Sequence, residues 1–129
     1  MRDSLKLTQL HTHAAYNSET KVAYLKLGTK LLRALAREMQ LPKSTYTVRT
    51  CEGGIAVPGE CILHSDQLYL QINNSYAAPG PAIMYRTCTG RKDYSGGPNG
   101  WAPVSRLDDL TDFASFLSTW LKEATSHGA

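Results

Sequence analysis

Two short stretches of this chain repeat one another: Arg49-Thr50-Cys51 followed by Gly53, and Arg86-Thr87-Cys88 followed by Gly90. Each sets a guanidinium two residues from a thiol, just before glycine-bearing backbone. The guanidinium fork recognises carboxylate or phosphate through paired hydrogen bonds, and a thiol beside cations has a lowered pKa. Paired arginines therefore point to anion binding, and Cys88 could be a nucleophile. The second copy runs into a long loop, residues 90–103. It holds Gly90, Gly96, Gly97 and Gly100, the cations Arg91 and Lys92, and the rings of Tyr94 and Trp101. Backbone amides of such a loop can converge on an anion, and its rings can stack on a ligand. The spacing is neither the P-loop nor the dinucleotide-binding pattern, because no lysine followed by Ser or Thr closes it and no helix opens at its last glycine. A structural loop whose Trp101 plugs the core would have the same composition.

Other chemistry assembles less well. A cysteine nucleophile needs a neighbouring imidazole, and His64 is the one histidine in the region of strand character. Asp93 is the clearest acid on the loop for general acid–base work. Cysteines in strands are commonly plain core residues. Cys61 and His64 are separated by two residues, but a strand would point them to opposite faces. His11 and His13 would share a strand face in an N-terminal arm. Neither pair makes a zinc site of the usual ligand spacing, so no metal and no cofactor are expected.

The bulk numbers set the frame. The 129 residues are 42% hydrophobic and 19% charged, the profile of one globular domain rather than a disordered chain. No apolar run approaches the roughly 20 residues that span a bilayer, so no membrane association is expected. The start, Met1-Arg2-Asp3-Ser4-Leu5-Lys6, has no apolar signal region. Cys51, Cys61 and Cys88 are an odd set at irregular spacing, which reads as free thiols in a reducing cytoplasm. The net charge of +3 favours an anionic partner only mildly.

The elements that must carry these residues read as follows. Residues 1–17 form an arm or a short edge strand, from the alternation of Leu5, Leu7 and Gln9. Residues 18–40 form a helix with Ser18 as N-cap, stopped at Leu41-Pro42. Tyr24, Leu27, Leu31 and Leu35 face inward, with Leu32 and Met39 beside them; Lys26, Lys30, Arg33 and Arg37 make an outer basic stripe, which could contact phosphates but is read first as an ordinary solvated face. Strands are expected at 45–52, at 55–64 (interrupted by Pro58-Gly59), at 67–73 and at 83–89. Residues 105–123 form a second helix, opened by a capping box of Ser105 and Asp108. Leu107, Leu110, Phe113, Leu117, Trp120 and Leu121 form its buried face, and residues 125–129 are a polar tail. The whole is an α+β domain over residues 18–124: a four-stranded antiparallel sheet with both helices on one face (α-β-β-β-β-α).

This order resembles that of the double-stranded RNA-binding domain, which has three strands between two helices. The lysine cluster which that family carries at the start of its second helix is not matched, because Arg106 is followed here by Asp108 and Asp109. The resemblance therefore implies order alone.

With both helices on one side, the other sheet face is expected to be open and polar. Tyr69, Gln71 and Asn73 would point outward there, joined by Met84, Arg86 and Cys88 and by Thr47, Arg49 and Cys51. The preferred reading is a non-enzymatic binding protein for an anionic ligand, a nucleotide-like molecule or nucleic acid. Arg49 and Arg86 would pair with the anion, Tyr69 or Tyr94 would stack, Gln71 would add an amide, and Arg91, Lys92 and Trp101 would form the rim. A second reading is a protein-interaction or inhibitor module, monomeric or a symmetric homodimer, anchored by Trp101, Tyr94 and Met84. The short chain and free thiols also suit an accessory protein of bacteria or their phages and plasmids. The third reading is a small enzyme using Cys88 or Asp93.

Overall fold

One strand decides the layering. In β3 (Leu68–Asn74), Leu68, Leu70 and Ile72 are fully buried on one side, while Tyr69, Gln71 and Asn73 project from the other. The computed structural model describes residues 2–75, 79–93 and 97–127. In it, β3 is the middle of an antiparallel meander, β1-β2-β3-β4-β5. Its companions are β1 (Tyr46–Cys51), β2 (Glu60–Ser65), β4 (Pro81–Thr87) and β5 (Gly100–Pro103). Helices α1 (Asp3–Ala14), α2 (Ser18–Glu38) and α3 (Leu110–His127) contribute to one core on the leucine face. There Tyr24, Leu32 and Leu35 of α2 meet Leu63, Leu70 and Ile83 of the sheet and Phe113 and Leu117 of α3. Each such aliphatic or phenyl side chain contributes about 1.5–3 kcal/mol by leaving water.

α2 is the element closest to expectation. Asn17, one residue earlier than Ser18, is its N-cap, and the Asn17 side chain accepts from the Thr20 amide at 2.9 Å. Its end is a paired carbonyl cap. Leu41 N–H donates to the Ala36 carbonyl and Gln40 N–H to that of Arg37, with Gln40 left-handed at φ 59°. Gly28 lets the helix approach β2, since a Cβ there would lie 2.5 Å from Cys61 Sγ.

Five expectations need correction. Residues 3–14 are helical rather than an arm or edge strand. Leu7 and Ala14 are buried with Leu10 packed beside them, while Leu5 is exposed. This stripe is one residue wide, and the helix is held from a distance. Ser4 N–H donates to Asp108 Oδ1 at 2.9 Å, and the Ser4 hydroxyl donates to Oδ2 of the same carboxylate. His11 Nε2 lies 2.6 Å from Asn74 Oδ1, so His11 and His13 do not form a strand pair.

The sheet has five strands among the described residues, not four, because Gly100–Pro103 pairs with β4. Gly100 is required there: a Cβ would fall 2.5 Å from the Tyr85 ring, which packs against Trp120 at 4.8 Å between centroids. The second expected strand is shortened to Glu60–Ser65, leaving Ile55 98% exposed in the turn before it. Finally, Ser105 and Asp108 form no capping box. A 3₁₀ turn occupies Val104–Asp108, Asp109 Oδ1 accepts from the Asp112 amide at 3.1 Å, and Asp108 caps α1 instead. The helix then continues through the expected tail to His127.

Candidate binding face

The pairing register brings the sequence-selected residues onto one surface. Thr47, His64, Tyr69 and Arg86 form a row across β1 to β4. Arg49, Ile62, Gln71, Met84 and Trp101 form the next row, from β1 to β5. Period-two alternation is the reason: once β3 turns its leucines to the helices, every odd or even partner follows. Arg49 and Arg86 start three strands apart, about 14 Å between backbones, yet both side chains lean inward. Arg49 reaches His64 Nδ1 at 3.4 Å, and the Arg86 guanidinium covers the Tyr69 ring at 4.3 Å. His64 and Tyr69 touch edge to face at 4.9 Å. The result is a continuous chain of contacts, guanidinium, imidazole, phenol, guanidinium.

These contacts determine the state of His64. A guanidinium can only donate, so Nδ1 must be the acceptor; Nε2–H then donates to the Gly90 carbonyl at 3.0 Å. The ring is neutral and fully enclosed. Its pKa lies below the ordinary histidine value, first because burial disfavours the cation and then because Arg49 and Arg86 repel it; the Gly90 bond and Asp93 oppose the shift.

The centre of this face is less polar than expected. Ile62, Tyr69, Met84 and Cys88 form a small buried cluster of their own. Tyr69 is 7% exposed, lies under Arg86 and donates to Gln71 Oε1 at 3.2 Å, so its ring offers little surface for stacking. Trp101, 44% exposed beside Met84, is the ring that solvent reaches; it does not plug the core. Sequence reasoning weighed His64 only as a base or ligand and passed over Ile62, although both share the parity of Arg49's partners in β2. Their significance depends on the Gly90 carbonyl and on cross-strand neighbours, which a one-strand pattern does not display.

The loop is anchored beside this face. Asp93 accepts from both the amide and hydroxyl of Thr89, at 3.0 and 3.2 Å, and Gly97 N–H donates to the Thr87 carbonyl. Arg91 pairs with Asp66 at 3.5 Å, an exposed contact of small energetic weight, and Lys92 is solvent-exposed. Tyr94 lies outside the described residues. Cys88 donates its S–H to the Ser65 carbonyl at 3.2 Å, and burial, ahead of every other influence, pushes its pKa up. That is a protonated, packed thiol. Cys61 belongs to the helix-side core, with its pKa pushed up to about 11 chiefly by burial, so it shares no metal site with His64 across the sheet. Among the described residues no group of three His, Cys, Asp or Glu side chains could hold a metal ion. No described helix is long and apolar enough to cross a membrane.

Compared with known proteins, the chain matches no family model, no curated protein and no solved structure.

Proposed function

We propose that this is a non-enzymatic, cytoplasmic binding module whose outer sheet face takes an anionic ligand, a nucleotide-like molecule or a nucleic-acid segment. The observation that carries the reading is the convergence of Arg49 and Arg86 on the touching pair His64 and Tyr69. Two cations held inward by aromatic partners are preorganised, so less side-chain entropy is lost on binding. Trp101 would supply the stacking surface and Gln71 a neutral hydrogen-bonding group. Arg91, Lys92 and Tyr94 would complete the rim, and the Arg91–Asp66 contact is weak enough to be exchanged for a phosphate.

The test is titration with mononucleotides and short oligonucleotides, followed by tryptophan fluorescence and by the His64 ring resonances. Binding should be at least tenfold weaker in Arg49→Ala and Arg86→Ala. Unchanged affinity of both variants for every nucleotide and oligonucleotide that the protein binds would refute the reading.

One feature favours a second reading, a protein-interaction module. A groove of about 760 Å³, mostly apolar, runs between the start of α1 and the β5 edge, lined by Leu5, Pro79, Trp101 and Pro103. Exposed apolar grooves beside an unpaired strand edge suit an extended peptide. Under this reading, Leu5→Ser with Pro103→Ser would abolish capture of a partner while leaving nucleotide affinity intact.

A further inference from the structure

On the far side of the sheet, the outer surface of α2 forms the floor of a shallow trough of about 880 Å³, flanked by α1 and the β1 edge. Lys26, Lys30, Arg33 and Arg37 lie along the floor, Lys6 stands on the α1 wall, and Glu52 is the one acid that lines it. All five cations are exposed, and none forms an ion pair with a described acid. They are five of the chain's 14 lysines and arginines, against one of its 11 acids. A protein with a mild overall charge therefore concentrates five cations along one trough, with Glu52 the single acid in its lining.

The rest of the lining says what kind of polyanion fits. It contains no aromatic side chain and no amide. Protein partners of appreciable affinity need buried anchors, typically aromatic or arginine side chains seated in pockets; of the apolar residues that line the trough, Leu10, Val22, Ala23, Leu25 and Leu27, none is aromatic and Val22 alone is well exposed. Single strands are held largely by stacking on rings, and readers of duplex RNA engage its 2′-hydroxyls. The uncharged polar groups available are Thr29 and Thr50, and the Thr29 hydroxyl already donates to the Leu25 carbonyl. What remains is charge at regular intervals. Helix geometry sets Lys26, Lys30, Arg33 and Arg37 at rises of about 4.5–6 Å, spanning about 16 Å. We infer that this trough binds the phosphate backbone of duplex DNA without reading its sequence.

This site is independent of the anion-binding reading above, since it uses no residue of the Arg49–Arg86 face. Five phosphate contacts would release about as many counterions, giving a slope of roughly −4.5 in log affinity against log salt. The experiment is fluorescence anisotropy with a labelled 20-base-pair DNA duplex at several salt concentrations, alongside duplex RNA, single-stranded DNA and labelled polyglutamate. The wild-type protein should bind duplexes of unrelated sequence equally. Lys26→Gln with Arg33→Gln should lower affinity at least tenfold and flatten the slope by about two. Lys43→Gln with Lys122→Gln, which removes the same charge outside the trough, should leave it unchanged. The inference fails if the Gln pair, shown by circular dichroism to be folded, binds duplex DNA like the wild type. It fails equally if, in protein carrying Arg49→Ala and Arg86→Ala, single strands, duplex RNA or polyglutamate bind more tightly than duplex DNA.

Discussion

Arg49 donates to Nδ1 of His64 and thereby holds the imidazole in its neutral form, with its other nitrogen donating to the Gly90 carbonyl. Protonating that ring would place an N–H against a guanidinium. The arrangement links the charge of the sheet face to its folding.

The first prediction concerns pH. The folded pKa of His64 lies below the unfolded value of about 6.5. The unfolded chain thus binds the proton more readily, and stability falls as pH drops through about 6.5 toward the folded value. Above that window the contribution is complete. Arg49→Ala removes one repulsive charge and should raise the His64 pKa, narrowing the window. NMR titration of the imidazole and urea unfolding at several pH values measure both effects. Binding of a phosphate-bearing ligand to the face should also move the His64 pKa upward.

Thiol chemistry should separate the three cysteines. Cys51 is exposed at the β1 edge, whereas Cys61 and Cys88 are buried, with pKa values shifted upward. Native alkylation at neutral pH should modify Cys51 alone, and all three should react in denaturant. Mass spectrometry of digested protein reads the result. Rapid native labelling of Cys88 would revive a nucleophilic role for it.

Gly28→Ala should destabilise, opposite to the usual gain from alanine in a helix. The new methyl would meet Cys61 Sγ at 2.5 Å, between α2 and β2, where neither backbone yields easily. Overpacking of this kind costs about 1–3 kcal/mol. Adding Cys61→Ala should recover part of the loss in urea unfolding.

Asp108→Ala should cost about 1–2 kcal/mol, the usual weight of an N-terminal cap. Ser4→Ala should cost less, because the Ser4 amide keeps its acceptor. Their effects should couple in a double-mutant cycle, since both act through one carboxylate. Additive effects would count against Asp108 as the cap of α1.

What was legible in the sequence was what period alone specifies. Leu31 and Leu35 against Lys30 and Arg37 define α2, and Leu68, Leu70 and Ile72 define which way β3 faces. From that one parity, the placement of Arg49, Tyr69, Gln71 and Arg86 on a common face follows. What was not legible depends on partners distant in the chain. α1 has a narrow apolar stripe and takes its cap from Asp108. β5 is four residues bounded by glycine and proline, and its pairing needs Gly100 to make room for Tyr85. The enclosure of His64 needs the Gly90 carbonyl, which belongs to the loop rather than to any strand.

The Ser4–Asp108 contact has a consequence for synthesis. Its partners lie 104 residues apart, so the ribosome makes the first helix well before it makes the residue that fastens it. At 5–20 residues per second the delay is roughly 5–20 s. Throughout it, Leu7, Leu10 and Ala14 have neither a completed sheet nor α3 to cover them. This helix can still pack on α2 early, while the fastening of its N-terminal turn to Asp108 is among the last contacts the growing chain can form.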